Sequence, residues 1–554
     1  MPFGILECDG EGFVPGTVFL GGTKLESSQT PTQLLKKGKG KYSQVILSPQ
    51  PSDDPNDPLN WPQWQKESIL LIVGMSAAVA GAFGPMLSPG FVQIAAELDV
   101  PVSMLAQATS WMILSIALSL FLLNPLAKIY GKRPIYVFAI IVLFISSIIG
   151  GAGSSYNDLL TSRILCGFGL APYEILMQCT IGDLYFVHER ATRIAFWNLC
   201  LLLGISAGSL IAGYIIDSAG WHWCFWICAL LYGVLGALVI LFVPETAYSR
   251  PETTNLQRQN SGSGYLKPKE NLHEAGIEQI EYQDCEDNVA RMPLGTTPSD
   301  NTPRRMPYLK SIRLYSGRYT NAPFLKVFIR PFILFCYPAV FAAFLIYGTM
   351  ITWVVIFTVV NGVIFVAPPY NFTTSQTGLV SLSPLIMSLI GEIISGPLND
   401  WVCLYLARKN NGIYEPEFRL AMMAIVAILG TVAFYGFGAT IHYETHWSGP
   451  VITYGVTYMG LAFASTCLFG YVIDSHPTLN EEAFVAINAR NILAFGVTYF
   501  VEGWLENSGA LNVFIVLGSI FLGASALAIP LWIFGKRWRR WIWNNQRLQE
   551  LMSD

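Results

Sequence analysis

The chain alternates long apolar stretches with short polar breaks. About twelve of the stretches approach the roughly 20 residues that a helix needs to cross the hydrocarbon core of a bilayer. They fall at about 67–88, 104–126, 135–153, 158–178, 192–215, 223–243, 331–353, 376–396, 418–438, 449–470, 487–505 and 511–534. Lipid offers backbone groups no water, so each stretch must be a helix that satisfies its own N–H and C=O groups. The pattern predicts an all-α integral membrane protein with an N-terminal six-helix bundle at 67–245 and a C-terminal six-helix bundle at 327–535. Residues 1–66, rich in Pro, Ser, Thr, Gln and Lys, are expected to form a mostly disordered tail. Residues 246–326 hold few large apolar groups and read as a linker that cannot fold alone. Within its end, PFLKVFIR (323–330) suits a short interfacial helix ahead of Pro331. A basic tail follows at 536–554.

Composition agrees. Of 554 residues, 53% are hydrophobic and only 13% charged, about half the charged share of a soluble globular protein. The net charge of −4 gives no sign of nucleic acid as a partner. Eight of the 10 cysteines (Cys166, Cys179, Cys200, Cys224, Cys228, Cys336, Cys403, Cys467) lie in apolar stretches. None forms a CxxC pair or a zinc-like spacing, so they read as small packing residues. His442, Glu444 and His446 are too sparse to make a metal site. No GxxxxGK[ST] loop offers an ATP motor, and no catalytic constellation stands out. The chain is read as no enzyme, with no metal and no cofactor. Its first residues lack a basic, then apolar, signal-peptide pattern, so the first span is expected to target the chain.

Loop charges predict orientation. Lys128, Lys132 and Arg133 lie between spans two and three, Arg190 and Arg193 between four and five, and Arg408 and Lys409 between eight and nine. Lys536, Arg537, Arg539 and Arg540 follow span twelve. The opposite loops carry Glu97, Asp99, Asp158, Asp217 and Glu444 and almost no Lys or Arg. Both termini are therefore expected in the cytoplasm, with Trp61 and Trp64 at the membrane interface. The one N-x-S/T sequon, Asn371-Phe372-Thr373, then lies outside, where glycosylation of Asn371 is possible. The plasma membrane is the expected location, the vacuolar membrane the alternative.

NPLAKIYGKRP (124–134) after span two and GPLNDWVCLYLARKNNG (396–412) after span eight occupy the same slot in the two halves and both carry Pro-Leu. Such internal similarity suits a transporter built from related six-helix bundles. The first copy resembles the loop signature G-x-L-A-D-R-x-G-R-R of the major facilitator superfamily, through Leu126, Ala127, Gly131, Lys132 and Arg133. Lys128 stands where an acid is usual and Asn124 replaces a glycine. The second copy keeps Gly396, Leu398 and Asp400. RILCGFGLAP in span four resembles a family pattern through Arg163, Gly167 and Gly169. GISAGSLIAG in span five resembles the antiporter pattern through Gly204, Gly208 and Gly213, with Ser209 in place of proline. Pro244-Glu245-Thr246 and the long central linker also fit. The resemblance covers about residues 50–540 and is to the fungal drug:proton antiporter type with twelve spans. It implies alternating access and a role in proton coupling for Arg163.

Ionisable side chains inside a membrane are costly and usually face a cavity or a partner. The candidates are Arg163 and Glu174 in span four, Glu392 in span eight and Glu502 near the end of span eleven. Arg163 and Glu174 are three helical turns apart and share a face, expected to be the central cavity. Glu174 and Glu392 are each suited to bind a cationic substrate or a proton, because withdrawal from water favours a carboxyl's protonated form. Asn198 and Gln107 could hydrogen-bond substrate, and Tyr173, Tyr347, Trp353, Tyr454 and Phe463 could line a pocket. Pseudo-symmetry places Asp400 near Arg190 and Arg193, a gate that would latch and break. Asp474 and Arg490 are expected to form a second gate.

The sequence thus predicts a secondary transporter moving small organic molecules through a lipid bilayer, by proton-coupled efflux of drugs, toxins or metabolites and acting as a monomer. Proton-coupled uptake of a polyamine or other organic cation, and a non-transporting nutrient sensor, are the alternatives.

Overall fold

A computed structural model describes residues 4–7, 14–19, 51, 52, 54–248, 306–315, 317–320, 322–476 and 479–552. Among these, 12 helical spans are long and apolar enough to cross a membrane. Their outward faces keep large apolar side chains such as Leu118, Leu230 and Ile393 exposed, as lipid contact requires.

The two halves repeat one packing scheme. Span two (Val102–Tyr130) packs along span four (Tyr156–Leu184) as span eight (Thr374–Lys409) packs along span ten (Ser448–Ser475). Span one (Gln63–Leu98) lies on span five (Thr192–Ala219) as span seven (Pro338–Ile364) lies on span eleven (from Asn480). Span three (Lys132–Ala152) touches spans four and six (His222–Phe242), and span nine (Pro416–His442) touches spans ten and twelve. The halves meet through span two against eleven and span five against eight, the arrangement expected of duplicated bundles facing each other across a pseudo-two-fold axis.

The glycines of span five act through packing. A Cβ on Gly204 would lie 2.1 Å from the Ala78 carbonyl oxygen, and one on Gly208 2.5 Å from the Ala82 Cα. Spans one and five therefore touch backbone to backbone, which only small residues allow.

Several boundaries differ from those predicted. Span seven begins at Pro338, because residues 324–333 form a separate amphipathic helix (Phe324–Ile333) and 334–336 a single 3₁₀ turn. Phe121 of span two stacks on Phe332 of that helix at 4.8 Å. Span eleven starts earlier, with Asn480–Asn488, and its continuation Arg490–Ser525 turns at Gly509, whose φ of 73° only glycine adopts readily. The tail expected to be disordered is in part packed. Ile5 is fully buried, and Val18–Phe19 pairs antiparallel with Ile413–Tyr414. Asp57, also buried, caps the turn Pro58–Asn60 ahead of span one. Most of the linker, residues 249–305, lies outside the described residues, as does the side chain of Glu502.

The family-like loop has a defined job. Gly131 (φ +101°) leaves room for the Glu245 carboxylate, which accepts the backbone N–H groups of Lys132 (2.9 Å) and Arg133 (3.1 Å). Glu245 of the Pro-Glu-Thr motif thereby caps span three. The Arg133 guanidinium donates back to the carbonyls of Ile240 and Val243 at the end of span six.

Candidate functional site

A cavity lies between the halves, lined by spans one, two, four, five, seven and eleven. Its walls are mainly apolar: Met112, Ile113, Leu201, Ile205, Ile351 and Val355. Polar groups are few, Glu174, Asn198, Tyr347, Thr358, Arg490 and Asn491 among them. Large apolar walls with a few convergent polar groups describe a small-molecule site.

The two carboxylates predicted for the site are held across the interface between halves. Asn198 in span five donates its amide N–H to Glu392 in span eight. Asn491 in span eleven donates to Glu174 in span four, at 3.4 Å. The two asparagines are counterparts: Asn198 is eleven residues into the helix Val187–Ala219, and Asn491 eleven residues past Asn480. Sequence reasoning found Asn198 and missed Asn491. The signal was there, in the equal offsets of the repeat, but the late placement of span eleven hid it. Neither Glu174 nor Glu392 forms an ion pair among the described residues.

Arg490 does not sit at the end of its span beside Asp474. The extra turns of Asn480–Asn488 place it deep in the span, 6% exposed, where it lines the cavity. Its guanidinium lies 5.1 Å over the Tyr347 ring, a cation–π contact, and donates to the Asn488 side chain. The cavity thus holds one guanidinium and Glu174, with Glu392 one hydrogen bond behind Asn198. With both carboxylates ionised, the group carries one net negative charge. Of the other aromatic candidates, Tyr173, Trp353, Tyr454 and Phe463 are buried in the bundles rather than lining the cavity, and Gln107 does not line it either.

Arg163 does not face the cavity. Span one breaks after Phe83, at Gly84-Pro85, and its carbonyls lose their helical partners there. Arg163 Nη1 donates to the Phe83 oxygen (2.7 Å) and the Gly84 oxygen (3.0 Å). The guanidinium is also packed against the Phe83 and Phe225 rings. At 1% exposure it braces the wall behind the site.

The ion pairs predicted as gates are not formed in this structure. Asp400 is exposed and lies 3.8 Å from Arg419, not beside Arg190 or Arg193. Arg190 donates to the Gly182 and Tyr185 carbonyls at the end of span four, and Arg193 pairs with Glu67 of span one at 2.9 Å. These partners lie in the N-terminal half. Asp474 pairs with Arg419 at 2.6 Å and accepts the Tyr414 hydroxyl; Arg490 is not its partner. Instead, the halves are joined at the face carrying the basic loops by Lys128 to Glu482 at 2.5 Å, while Lys132 reaches both Asp183 (2.7 Å) and Glu481 (3.6 Å). Arg330 lies 3.7 Å from Glu482. Glu481 and Glu482 occupy the first turn of span eleven, where carboxylates are favoured.

At the opposite face the contact is steric. A Cβ on Gly213 of span five would sit 2.8 Å from the Gly378 Cα, Ser381 donates to Ser209 at 3.0 Å, and Ser375 donates to Asp217. Asn371 is exposed in the loop beyond span seven, and Thr373 next to it caps the helix Thr374–Leu379.

Comparison with known proteins follows this geometry. The family model described as Major Facilitator Superfamily matches residues 69–498. An uncharacterised MFS-type transporter of Schizosaccharomyces pombe is 25% identical, with 95% of this chain and 93% of the relative covered. The efflux pump radE of Floropilus chiversii is 24% identical, with 88% of this chain and 83% of that protein covered. Among solved structures, the xylose transporter XylE from E. coli in a partially occluded inward open conformation superposes with a TM-score of 0.55 at 12% identity, covering 84% of this chain and 98% of that one. That likeness is one of fold.

Proposed function

The chain belongs to the Major Facilitator Superfamily, and from that premise we propose that this secondary carrier exports small organic molecules, organic cations foremost, in exchange for protons. The observation that carries the reading is the pair of carboxylates at the cavity, each bonded to an asparagine of the opposite half. A cation or a proton that takes Glu392 weakens its hold on Asn198, and likewise for Glu174 and Asn491. Occupancy of the site and contact between the halves are then one event, which is what alternating access requires. Arg490 offsets one of the two negative charges, so one proton and one monovalent cation satisfy the site equally. Tyr347 and the apolar walls supply loose selectivity.

Export is favoured by the relatives named as efflux pumps, radE among them. The basic loops favour a cytoplasmic position for their face and for both termini, and the plasma membrane is the proposed location. Asn371 then faces outward, and a glycan there would appear as a mobility shift removed by Asn371→Gln.

Reconstituted vesicles test the reading. With the pH gradient as the only driving force, radiolabelled tetraphenylphosphonium or a panel of organic amines is expected to accumulate against its gradient, moving opposite to protons. Accumulation in the same direction as protons would reverse the proposed mode, and no flux of any probe would leave a sensor.

A further inference from the structure

The N-terminal segment is docked on the half of the molecule to which it is not covalently adjacent. Ile5 is fully buried against Cys403, Ala407 and Phe418. The Leu6 N–H donates to the Ile533 carbonyl at 2.9 Å, and Arg537 donates to the Glu7 carbonyl at 3.0 Å. Val18–Phe19 adds a strand to Ile413–Tyr414. All these partners belong to the C-terminal half. The next anchored stretch, from residue 51, packs instead on the N-terminal half, where Tyr248 donates to Asp54 at 3.1 Å and Lys66 to the Leu59 carbonyl at 2.9 Å.

The docking site is built for this segment. Arg539 is 2% exposed. Its Nε and Nη2 serve Glu417 and Glu415, at 2.8–3.0 Å. Among the described residues, its Nη1 finds its acceptors on the N-terminal segment, the Pro15 carbonyl and the Thr17 hydroxyl. Thr17 donates in turn to Glu415 at 2.7 Å, whose other oxygen is paired with Lys536. Gly16 between them has φ +84°, and a Cβ there would lie 2.4 Å from the Asp474 carbonyl oxygen and 2.9 Å from Pro416. Only glycine fits.

We propose that residues 4–7 and 14–19 form a cis-acting strap whose docking holds the cytoplasmic ends of spans eight, nine, ten and twelve in this arrangement, and so slows opening of the cavity toward the cytoplasm. The strap lies directly on the cluster that joins those ends, Arg419 with Asp400 and Asp474. Release exchanges the acceptors of Arg539 Nη1 for water and uncovers the Ile5 socket. The state of the N-terminus thereby becomes an input to the transport cycle.

The test uses the full chain, a variant lacking residues 2–19 and the full-length Gly16→Val variant, with Cys8, Cys285 and Cys336 changed to Ser. Maleimide labelling of Ile116→Cys in the cavity, with reagent on the cytoplasmic side, is expected to run at least threefold faster in both variants. A synthetic peptide of residues 1–20 is expected to bind the truncated protein at one per chain and return the labelling rate to that of the full chain. The same peptide carrying Gly16→Val is expected to do neither. Equal labelling rates in all three proteins, or a peptide that fails to bind the truncated protein, would overturn the proposal. These readouts need no cargo, so they stand apart from the outcome of the flux experiment.

Discussion

The Lys128 ammonium lies 2.5 Å from the Glu482 carboxylate, across the boundary between the two halves. The family-like loop usually has an acid at this slot. Here the sign is reversed, and the partner on span eleven is acidic to match. Glu482 is largely buried, so leaving either charge alone is strongly unfavourable. Lys128→Glu and Glu482→Lys are each expected to cut flux at least tenfold, and the double exchange to recover a third or more, as measured by transport at matched protein levels. A double variant no better than the singles would show that the pair is not a unit.

Asn198 donates to Glu392 across the interface between the halves. Glu392→Gln keeps a hydrogen-bonding side chain but removes the charge. It is expected to lower proton-driven transport at least tenfold and to leave any residual flux insensitive to pH between 6 and 8. Asn198→Ala, which frees the carboxylate without neutralising it, is expected to keep the pH dependence while losing a smaller part of the rate.

Arg163 braces the carbonyls at the break in span one. Arg163→Ala leaves two buried acceptors without donors, at about 2–4 kcal/mol of stability, read as a lower melting temperature. Flux per folded molecule is expected to fall far less than in Glu392→Gln. A variant of undiminished stability that transports nothing would return Arg163 to the coupling machinery.

Gly213 and Gly378 touch on the face opposite the basic loops. Gly213→Val cannot close there without moving a backbone. It is expected to hold the cavity open outward, raising thiol labelling of Ile116→Cys from outside and lowering turnover.

His476, after span ten, is buried, and burial followed by the neighbouring Arg539 charge holds its pKa down at about 4. The unfolded chain, with an imidazole near 6.5, takes up the proton first as pH falls. His476 therefore contributes full stability above pH 6.5 and loses it between 6.5 and 4, on the order of 3 kcal/mol. His476→Asn is expected to flatten thermal stability over that window.

Much of the architecture was legible from the chain, because hydrophobic length is a strong signal and lipid enforces helices. The twelve spans and the duplicated halves follow from it. Charge near a span end misled the reading. Glu481 and Glu482 looked like loop residues, which began span eleven late and put Arg490 at a gate. Their lysine partners sit some 350 positions earlier, and a pairing of that separation leaves no local trace. Arg163, expected to face the cavity, packs behind its wall for a related reason. Its partners are backbone carbonyls at a break in another helix, which no side-chain pattern marks. The strap was hidden by composition, since a polar tail that docks looks like one that does not.

The central claim is that proton and cargo compete for carboxylates shared between the halves. Purified protein in weakly buffered solution near pH 7, with a pH-sensitive dye, tests it without any membrane. Adding tetraphenylphosphonium is expected to release protons saturably from the wild type, and to release far fewer from Glu392→Gln in the Glu174→Gln background. Binding of the cation with no proton released from the wild type would contradict the account.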